Sequence, residues 1–251
     1  MDSGKWMHYI KKIKPYNIQK GLRYLKHYGP KEFWIRLCER MEPEEIPYGP
    51  WFEKHQPDAE ELERQKKRRF TYSPFISVVV PAYRTPGAFL IQMIESLQNQ
   101  TYTNWELCIA NASPEEKEMG EILKKYAGED SRIKVKELQK NLGIAENTNE
   151  AFAMAKGEFL GLLDHDDLLA PQALYRMVEM MNQHLEGKEN TLVDVIYSDE
   201  DKVTTDLSEH FQPHFKPDFN LDLLRSNNYI THFFVARTAL VRQTGGFRRE
   251  Y

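Results

Sequence analysis

The segment Asp164–Asp167 has the clearest chemical potential in this sequence. It reads Asp-His-Asp-Asp and directly follows the apolar run Phe159–Leu163. Carboxylates this close repel each other and raise one another's pKa unless a cation or strong hydrogen-bond donors compensate. Mg²⁺ takes oxygen ligands, often one or two carboxylates together with substrate phosphates. The spacing is therefore suited to a divalent cation that neutralises a diphosphate.

A second interpretation of the same segment is structural. Acidic side chains are common just before helices, where a carboxylate accepts hydrogen bonds from the first backbone N–H groups. Asp166 or Asp167 would then cap a helix that begins near Pro171. Spacing alone does not decide between a cation site and a helix cap.

Other nucleotide and metal signatures are absent from the sequence. No G-x-G-x-x-G follows the first predicted strand, and no G-x-x-x-x-G-K-[ST] occurs, which argues against a dehydrogenase and a P-loop kinase. No His/Cys cluster has zinc spacing. A phosphatase with an aspartyl nucleophile would carry it after the first strand rather than the fourth. A metal-dependent phosphohydrolase acting on generic esters stays open.

The elements around this segment alternate between strand and helix patterns. Four helical patterns lie between apolar, β-branched runs, which predicts an α/β fold with a largely parallel sheet and helices on both faces. Ligands of such folds bind at the carboxyl ends of the strands. The predicted strands are "ISVVVPAY" from Ile76, "WELCIA" from Trp105, "RIKVKEL" from Arg132, "EFLGLLD" from Glu158 and "VDVIYSD" from Val193.

Polar residues follow four of these strands and are expected along one edge of the sheet. A single polar residue at a strand end means little, but two of these ends are rich in acids. The four groups are Pro81–Thr85, Asn111–Ser113, Asp164–Asp167 and Asp199–Asp201.

The sequence predicts two regions. Residues 1–69 form a helical appendage and linker, and residues 70–251 form the α/β domain. Residues 1–40 hold ten Lys/Arg against three Asp/Glu, interleaved with aromatic residues at helical spacing. Two or three short amphipathic helices are expected, broken near Pro15 and at "YGP". The segment either packs on the main domain or attaches to an anionic membrane surface.

Composition places limits on partners and compartment. The net charge of −4 gives no reason to expect nucleic acid, and the two cysteines, Cys38 and Cys108, form no disulfide framework. No apolar stretch reaches the ~18–20 residues that span a bilayer, and residues 1–14 lack a signal-peptide core. We expect a cytoplasmic protein, with residues 1–40 as the segment that could contact the inner face of the membrane.

Five motifs, taken in order, resemble those of family 2 glycosyltransferases. They cover about Phe75 to Arg248, and the closest resemblance is to bacterial enzymes that build rhamnose-containing or other surface polysaccharides. The motifs are "ISVVVPAYRTP", "WELCIANASP", "NLGIAENTNEAFAMAKGEFLGLLDHDD", "VIYSDEDKV" and "HFKPDFNLDLLRSNNYITHFFVARTALVRQTGGFR".

The resemblance implies a GT-A fold, a Rossmann-like αβα sandwich, and a reaction. Such enzymes transfer a sugar with inversion from a nucleotide diphosphate, here UDP or dTDP, to a saccharide or lipid-linked saccharide. A divalent cation, Mn²⁺ or Mg²⁺, is the expected cofactor. The alternative is a catalytically incomplete domain that binds nucleotide sugars or serves assembly.

The resemblance also implies donor-site residues. Asp166 is expected to be the main metal ligand, with Asp164 also binding metal and lying nearer the ribose. Asn111 stands where the family usually has an Asp, and Glu146 where an Arg is often found, which leaves the base identity open. The donor nucleotide set is Pro81, Ala82, Tyr83, Thr85, Asn111, Asn141, Gly143, Asn147, Asp164 and His165.

Acceptor-side residues follow from the same comparison. His232 matches this region, although a satisfied, partly buried histidine is an equal interpretation. In the family, "GGF" precedes an acidic motif whose Asp is the general base, so we expect the base beyond Tyr251 and a C-terminally incomplete domain. The donor-sugar or acceptor set is Asp199, Glu200, Asp201, His232 and Gly246.

Overall fold

The structure, a computed structural model, describes residues 15–41, 47–187 and 191–249. The chain divides into two compact units, Met1–Lys54 and His55–Tyr251. None of the helices within the described ranges is long and apolar enough to cross a membrane. The domain boundary near Phe70 stays a prediction.

The first unit is helical. Helix α1 (Pro15–Met41) bends at Gly29, which has φ 84° and precedes Pro30. The predicted break at "YGP" is therefore confirmed, because only glycine takes this conformation readily and proline cannot continue the hydrogen-bond ladder. Helix α2 (Tyr48–His55) follows and ends at the junction of the units. The predicted helical pattern before Pro15 lies outside the described residues.

The second unit alternates helices and strands, as the sequence pattern predicted. Its elements are α3 (Ala59–Lys67), β1 (Ile76–Ala82), α4 (Gly87–Gln98), β2 (Trp105–Asn111), α5 (Lys117–Glu129), β3 (Ile133–Glu137), α6 (Ile144–Phe152), β4 (Phe159–Leu162), α7 (Ala173–Glu186), β5 (Val195–Tyr197), β6 (Glu200–Val203), β7 (His210–His214), α8 (Leu221–Ser226), β8 (Phe234–Arg237) and α9 (Thr238–Gln243).

The main sheet has the order β3-β2-β1-β4-β8-β5. Neighbours among β3, β2, β1 and β4 pair in parallel, whereas β8 is antiparallel to both β4 and β5. All five predicted strands are present, and the mostly parallel α/β fold is confirmed. The sequence pattern missed β8, which lies between two predicted strands, and the separate pair β6-β7.

Alternate residues of the strands build two cores, one on each face of the sheet. On one face, Val78 and Val80 of β1 pack in a cluster with apolar residues of α4, α5 and α7. On the other face, Val79 packs with smaller residues such as Cys108 and Ala110, under α6. The period-2 alternation of side chains places helices on both faces.

A buried carboxylate ties the strands together at their amino ends. Glu106 on β2 is 2% exposed. It accepts hydrogen bonds from Ser77 Oγ (2.6 Å), from the backbone N–H of Lys156 (2.6 Å) and from the Lys134 ammonium. Burial raises the pKa of the Glu106 carboxyl, but these three hydrogen bonds outweigh burial, so the pKa lies below its ordinary value. Ionised Glu106 therefore stabilises the fold at neutral pH.

We predict that Glu106→Gln lowers the free energy of unfolding at pH 7 by about 1–3 kcal/mol, because it removes a charged hydrogen-bond acceptor from a buried network. A carboxyl with a lowered pKa stabilises the fold above its unfolded pKa, and this stability is lost as the pH falls through the folded pKa. The difference between the two proteins should therefore narrow in acid. Urea unfolding from pH 7 to pH 3 measures it. The exposed Glu121→Gln is the control, and an equal loss there would contradict the prediction.

Candidate functional site

The strand order of the sheet changes direction between β1 and β4. From β1 the chain proceeds outward through β2 and β3, while β4 pairs with the other side of β1. In open α/β sheets, ligands bind outside the carboxyl ends of the strands at such a switch point. Here these ends carry the segments 82–85 and 164–167, which places the acidic segment at the expected crevice.

Three side chains with metal-ligating atoms meet at this crevice. One ligand atom from each of Asp164, Asp167 and His232 lies within 4.8 Å of the others. His232 Nε2 is 3.3 Å from Asp164 Oδ2 and 3.9 Å from Asp167 Oδ2. All three residues are half-buried. Two loops far apart in sequence thus build one group of ligand atoms.

The electrostatics of this cluster are uneven. The hydrogen bond from His232 lowers the pKa of Asp164, and the same bond raises the pKa of His232. Burial raises the pKa of Asp167, and the charge of Asp164 adds to this. One carboxylate is held ionised by the imidazole while its neighbour is pushed towards protonation, as expected for acids that share a small space.

The donor set of the cluster fits a divalent cation. Carboxylate oxygens suit Mg²⁺ and Mn²⁺, and neutral imidazole is the commonest protein metal ligand. Asp166 lies outside the group of three, with its side chain 55% exposed and 3.7 Å from the His165 ring. Asp167, which the sequence suggested only as a helix cap, is instead a member.

The helix-cap interpretation of the acidic segment is wrong. Helix α7 begins at Ala173 and its N-cap is Gln172, which makes no side-chain capping hydrogen bond. Neither Asp166 nor Asp167 therefore caps the helix. The acids follow strand β4 and accept no hydrogen bond from the first turn of α7, so helix capping does not explain their presence.

A strained turn follows β1 at the same edge of the sheet as this cluster. Arg84 has φ 50°, and its backbone N–H donates to Ser113 Oγ at 2.7 Å. Thr85 is 6% exposed, and its Oγ1 is buried without a hydrogen-bond partner among the residues that the structure describes. Pro81 is half-buried and Ala82 buried within β1, and Tyr83 follows them half-buried. The orphaned hydroxyl is the feature of this segment that most needs a ligand or water.

The three asparagines predicted for the donor site form hydrogen bonds with other residues of the protein. Asn111 is 1% exposed, donates to Glu137 Oε2 at 2.8 Å and accepts from the Ser113 N–H. Asn141 Oδ1 accepts from the N–H of Gly143 (2.9 Å) and from Asn147 Nδ2 (2.9 Å). These contacts shape the loop before α6. Contact of these residues with a nucleotide stays a prediction.

The predicted acceptor-side residues are distributed over three places. Asp199 accepts from the backbone N–H of Lys216 (2.7 Å), and Asp201 contacts His210 Nδ1 at 2.9 Å on the β6-β7 pair. Glu200 lies beside His232, accepting its N–H at 3.2 Å. Gly246 (φ 77°) packs on Asn149 of α6. Of this set, only His232 belongs to the metal-ligating group.

A close approach between β4 and the loop before β8 holds His232 in place. A Cβ on Gly161 would lie 2.5 Å from the ring of Phe233, and Phe233 is 3% exposed. Only glycine leaves room for this ring, which anchors the residue next to His232. Sequence reasoning missed this contact, although an isolated glycine within a strand is a signal of close approach.

Comparison with known families gives a direct match. Residues 77–245 match the family described as Glycosyl transferase family 2. The uncharacterized protein y4gI of Sinorhizobium fredii is 42% identical over 184 residues, which are 73% of this chain and 20% of that protein. The O-antigen biosynthesis protein RfbC of Myxococcus xanthus is 32% identical over 216 residues, 86% of this chain and 16% of that protein. The chain therefore spans about a fifth or less of these relatives.

Solved structures share the fold at low sequence identity. TarS of S. aureus in complex with UDP is 21% identical with a TM-score of 0.54, over 70% of this chain and 50% of that chain. The mannosyltransferase PcManGT of Pyrobaculum calidifontis, in complex with GDP-Man and Mn²⁺, is 18% identical with a TM-score of 0.51, over 74% and 53%. The second unit accordingly has the GT-A type of α/β fold.

We predict that Gly161→Ala destabilises the fold by about 1–3 kcal/mol, because the added methyl group overpacks against the Phe233 ring. Displacing Phe233 should also move His232 and weaken binding of Mn²⁺. Chemical unfolding and calorimetric titration measure the two effects. Gly120→Ala on α5 is the matched control, since among the described residues no atom outside the adjacent helix backbone lies within 4 Å of an added Cβ and alanine favours the helix by about 0.5–1 kcal/mol. Equal behaviour of the two variants would contradict the prediction.

Proposed function

The chain belongs to glycosyl transferase family 2, and we propose that it acts in the transfer of a sugar from a nucleotide diphosphate donor to a saccharide acceptor during synthesis of a cell-surface polysaccharide. UDP- or dTDP-sugars are the proposed donors, and a saccharide or lipid-linked saccharide the acceptor, with inversion at the anomeric carbon. The observation that carries the proposal is the group of Asp164, Asp167 and His232 at the switch point of the sheet.

We propose that this group holds a divalent cation against the donor diphosphate. Asp164, Asp167 and His232 supply ligand atoms, and Asp166, the ligand expected from the family resemblance, adds a half-exposed carboxylate from the same loop. The cation would supply positive charge to the departing nucleoside diphosphate. Mn²⁺ or Mg²⁺ suits the carboxylates.

The turn that follows β1 completes the proposed donor site. Thr85 has a buried hydroxyl without a hydrogen-bond partner in the described structure, directly after the strained residue Arg84. The lowered pKa of Asp164 keeps its carboxylate charged, so that it can bind a cation or orient a ribose hydroxyl at neutral pH. The nucleotide would lie along this crevice, with its diphosphate towards the acidic segment.

We predict that UDP or dTDP stabilises the chain only when Mn²⁺ is present. A ligand at about 100 times its Kd contributes about 2.7 kcal/mol, which is about 5–11 °C in Tm for a chain of this size. Asp164→Asn and Asp166→Asn should each abolish most of this shift, and Asp167→Asn should reduce it, because each removes a proposed ligand charge. Thermal unfolding with and without metal measures the shift.

The control for this series is Glu121→Gln, an exposed acid on α5. It should keep the full shift, since it lies in no part of the acidic loop. If no nucleoside diphosphate gives a metal-dependent shift, the donor-site proposal fails. If Asp166→Asn alone behaves like the control, the cation is held by the other three residues. Binding without sugar transfer would favour a nucleotide-sugar-binding or assembly role.

We also propose that the first unit contacts an anionic membrane surface. Within the described part of α1, basic side chains at Lys20, Arg23 and Lys26 are exposed. Large apolar side chains are exposed on the same helix, with Leu22 at 60% and Trp34 at 65%. Basic residues attract anionic headgroups while aromatic rings enter the interface, which is the combination seen in peripheral attachment.

We predict that the chain sediments with vesicles containing anionic lipid and is released by salt. The double variant Arg23→Glu/Lys26→Glu should lose most of this binding, since each basic residue contributes about 1 kcal/mol near the surface. Lys117→Glu/Lys124→Glu on α5 changes the net charge equally and should bind like the unaltered chain. Equal loss in both variants would show that net charge rather than α1 is responsible.

A further inference from the structure

Lys216 is a buried lysine beside the candidate site. It lies between β7 and α8, and its side chain is 1% exposed. Lysine is almost never fully buried unless it is paired, because removing the ammonium from water is costly. Burial accordingly lowers the pKa of Lys216, although the negative charge of Glu200 acts in the opposite direction. A lysine buried in this way needs specific hydrogen-bond or charge partners.

Within the described structure, the Lys216 side chain has two partners, the backbone carbonyl of His232 and the Glu200 carboxylate, which also bonds His232. Its ammonium donates to the backbone carbonyl of His232 and lies 3.5 Å from Glu200 Oε2. Glu200 Oε2 in turn accepts the backbone N–H of His232 at 3.2 Å. The ion pair thus bonds the N–H and the carbonyl of the same residue.

Glu200 is itself fixed by further hydrogen bonds. Its Oε1 accepts from Thr231 Oγ1 at 2.7 Å and contacts His214 Nδ1 at 3.0 Å. The backbone N–H of Lys216 donates to Asp199 at 2.7 Å. These polar contacts join the loop that carries His232 to the β6-β7 pair and to the segment after β5, in addition to the backbone hydrogen bond from Ser198 N–H to the Phe233 carbonyl.

The ring of His232 lacks the usual support of a metal-binding histidine. Such histidines almost always donate their second ring N–H to an acceptor. His232 Nδ1 is buried and has no hydrogen-bond partner among the described residues, while Nε2 faces Asp164. With no acceptor on Nδ1, the ring is supported by Asp164 at Nε2 and by the position of its own backbone, whose N–H and carbonyl are bonded by Glu200 and Lys216.

We propose that Lys216 is a positioning residue that, together with Glu200, fixes the His232 backbone and thereby sets the affinity of the acidic cluster for a divalent cation. This role rests on the proposed function only in that a cation binds at the cluster. A buried ion pair contributes little to stability by itself, because desolvation offsets the attraction. The geometry instead indicates that the Lys216–Glu200 pair fixes the position of one metal ligand, His232.

The test measures Mn²⁺ binding to the full chain without nucleotide, by calorimetry and by electron paramagnetic resonance of free Mn²⁺. Lys216→Met keeps an unbranched, apolar side chain one atom shorter and removes the ammonium and its charge. Loss of a residue that orients a metal ligand lowers affinity about 10–100-fold. Lys202→Met, an exposed lysine on β6 bonded to Gln212, is the matched control and should leave the affinity unchanged.

A double-mutant comparison separates positioning from a general loss of structure. In a His232→Ala background, Lys216→Met should weaken Mn²⁺ binding no further, since the residue it positions is already gone. Equal weakening in both backgrounds overturns the proposal, and so does unchanged affinity in the single variant. Histidine ring signals in ¹H–¹⁵N spectra should shift for His232 in Lys216→Met without metal, and unchanged signals would also overturn it.

Glu200→Gln provides a second route if Lys216→Met does not fold. It keeps the shape and one of the two acceptor oxygens but removes the charge that holds Lys216, and it should weaken Mn²⁺ binding in the same direction. Normal affinity in a folded Glu200→Gln variant overturns the proposal. If the unaltered chain binds no Mn²⁺, the cation site itself fails, and this role fails with it. Binding by the unaltered chain with no effect of either variant refutes the positioning role alone.

Discussion

The candidate site depends on the contact between Gly161 and the ring of Phe233. Strand β8 enters the sheet antiparallel to β4, with Gly161 opposite Val235. The missing side chain at Gly161 lets the Phe233 ring pack against the strand, and this fixes the chain at the preceding residue, His232. Because β4 also delivers Asp164, one steric constraint brings both sides of the cluster together.

Two groups of charged side chains lie at opposite ends of the sheet, and they differ in function: one stabilises the fold and the other is suited to binding a ligand. At the amino ends of the strands, buried Glu106 on β2 bonds Ser77 on β1 and Lys134 on β3. These hydrogen bonds stabilise the fold. At the carboxyl ends, Asp164 and Asp167 remain close with only an imidazole between them. Like charges left half-compensated are unfavourable without a ligand, which is why this second cluster is the one suited to binding.

Much of the fold could be predicted because its signals are local. Apolar runs and helical spacing indicated all five predicted strands and the helices between them, since burial of alternating residues follows directly from side-chain period. The strand β8 escaped this reasoning because helix α9 begins at Thr238, directly after Arg237, so no turn signal marks the end of the strand. A glycosyltransferase was indicated by motif order, and the family match over residues 77–245 confirms the family.

The sequence by itself determined the fold class, the acidic loop after β4 and the family. It named His232 and Glu200 separately, without relating either to the acids. Only the tertiary structure decided that Asp167 and His232 join Asp164, and that Lys216 is buried against the His232 backbone. The physical reason is that strand pairing across some 70 residues sets these distances, whereas periodicity reports only on neighbours within a turn or a strand.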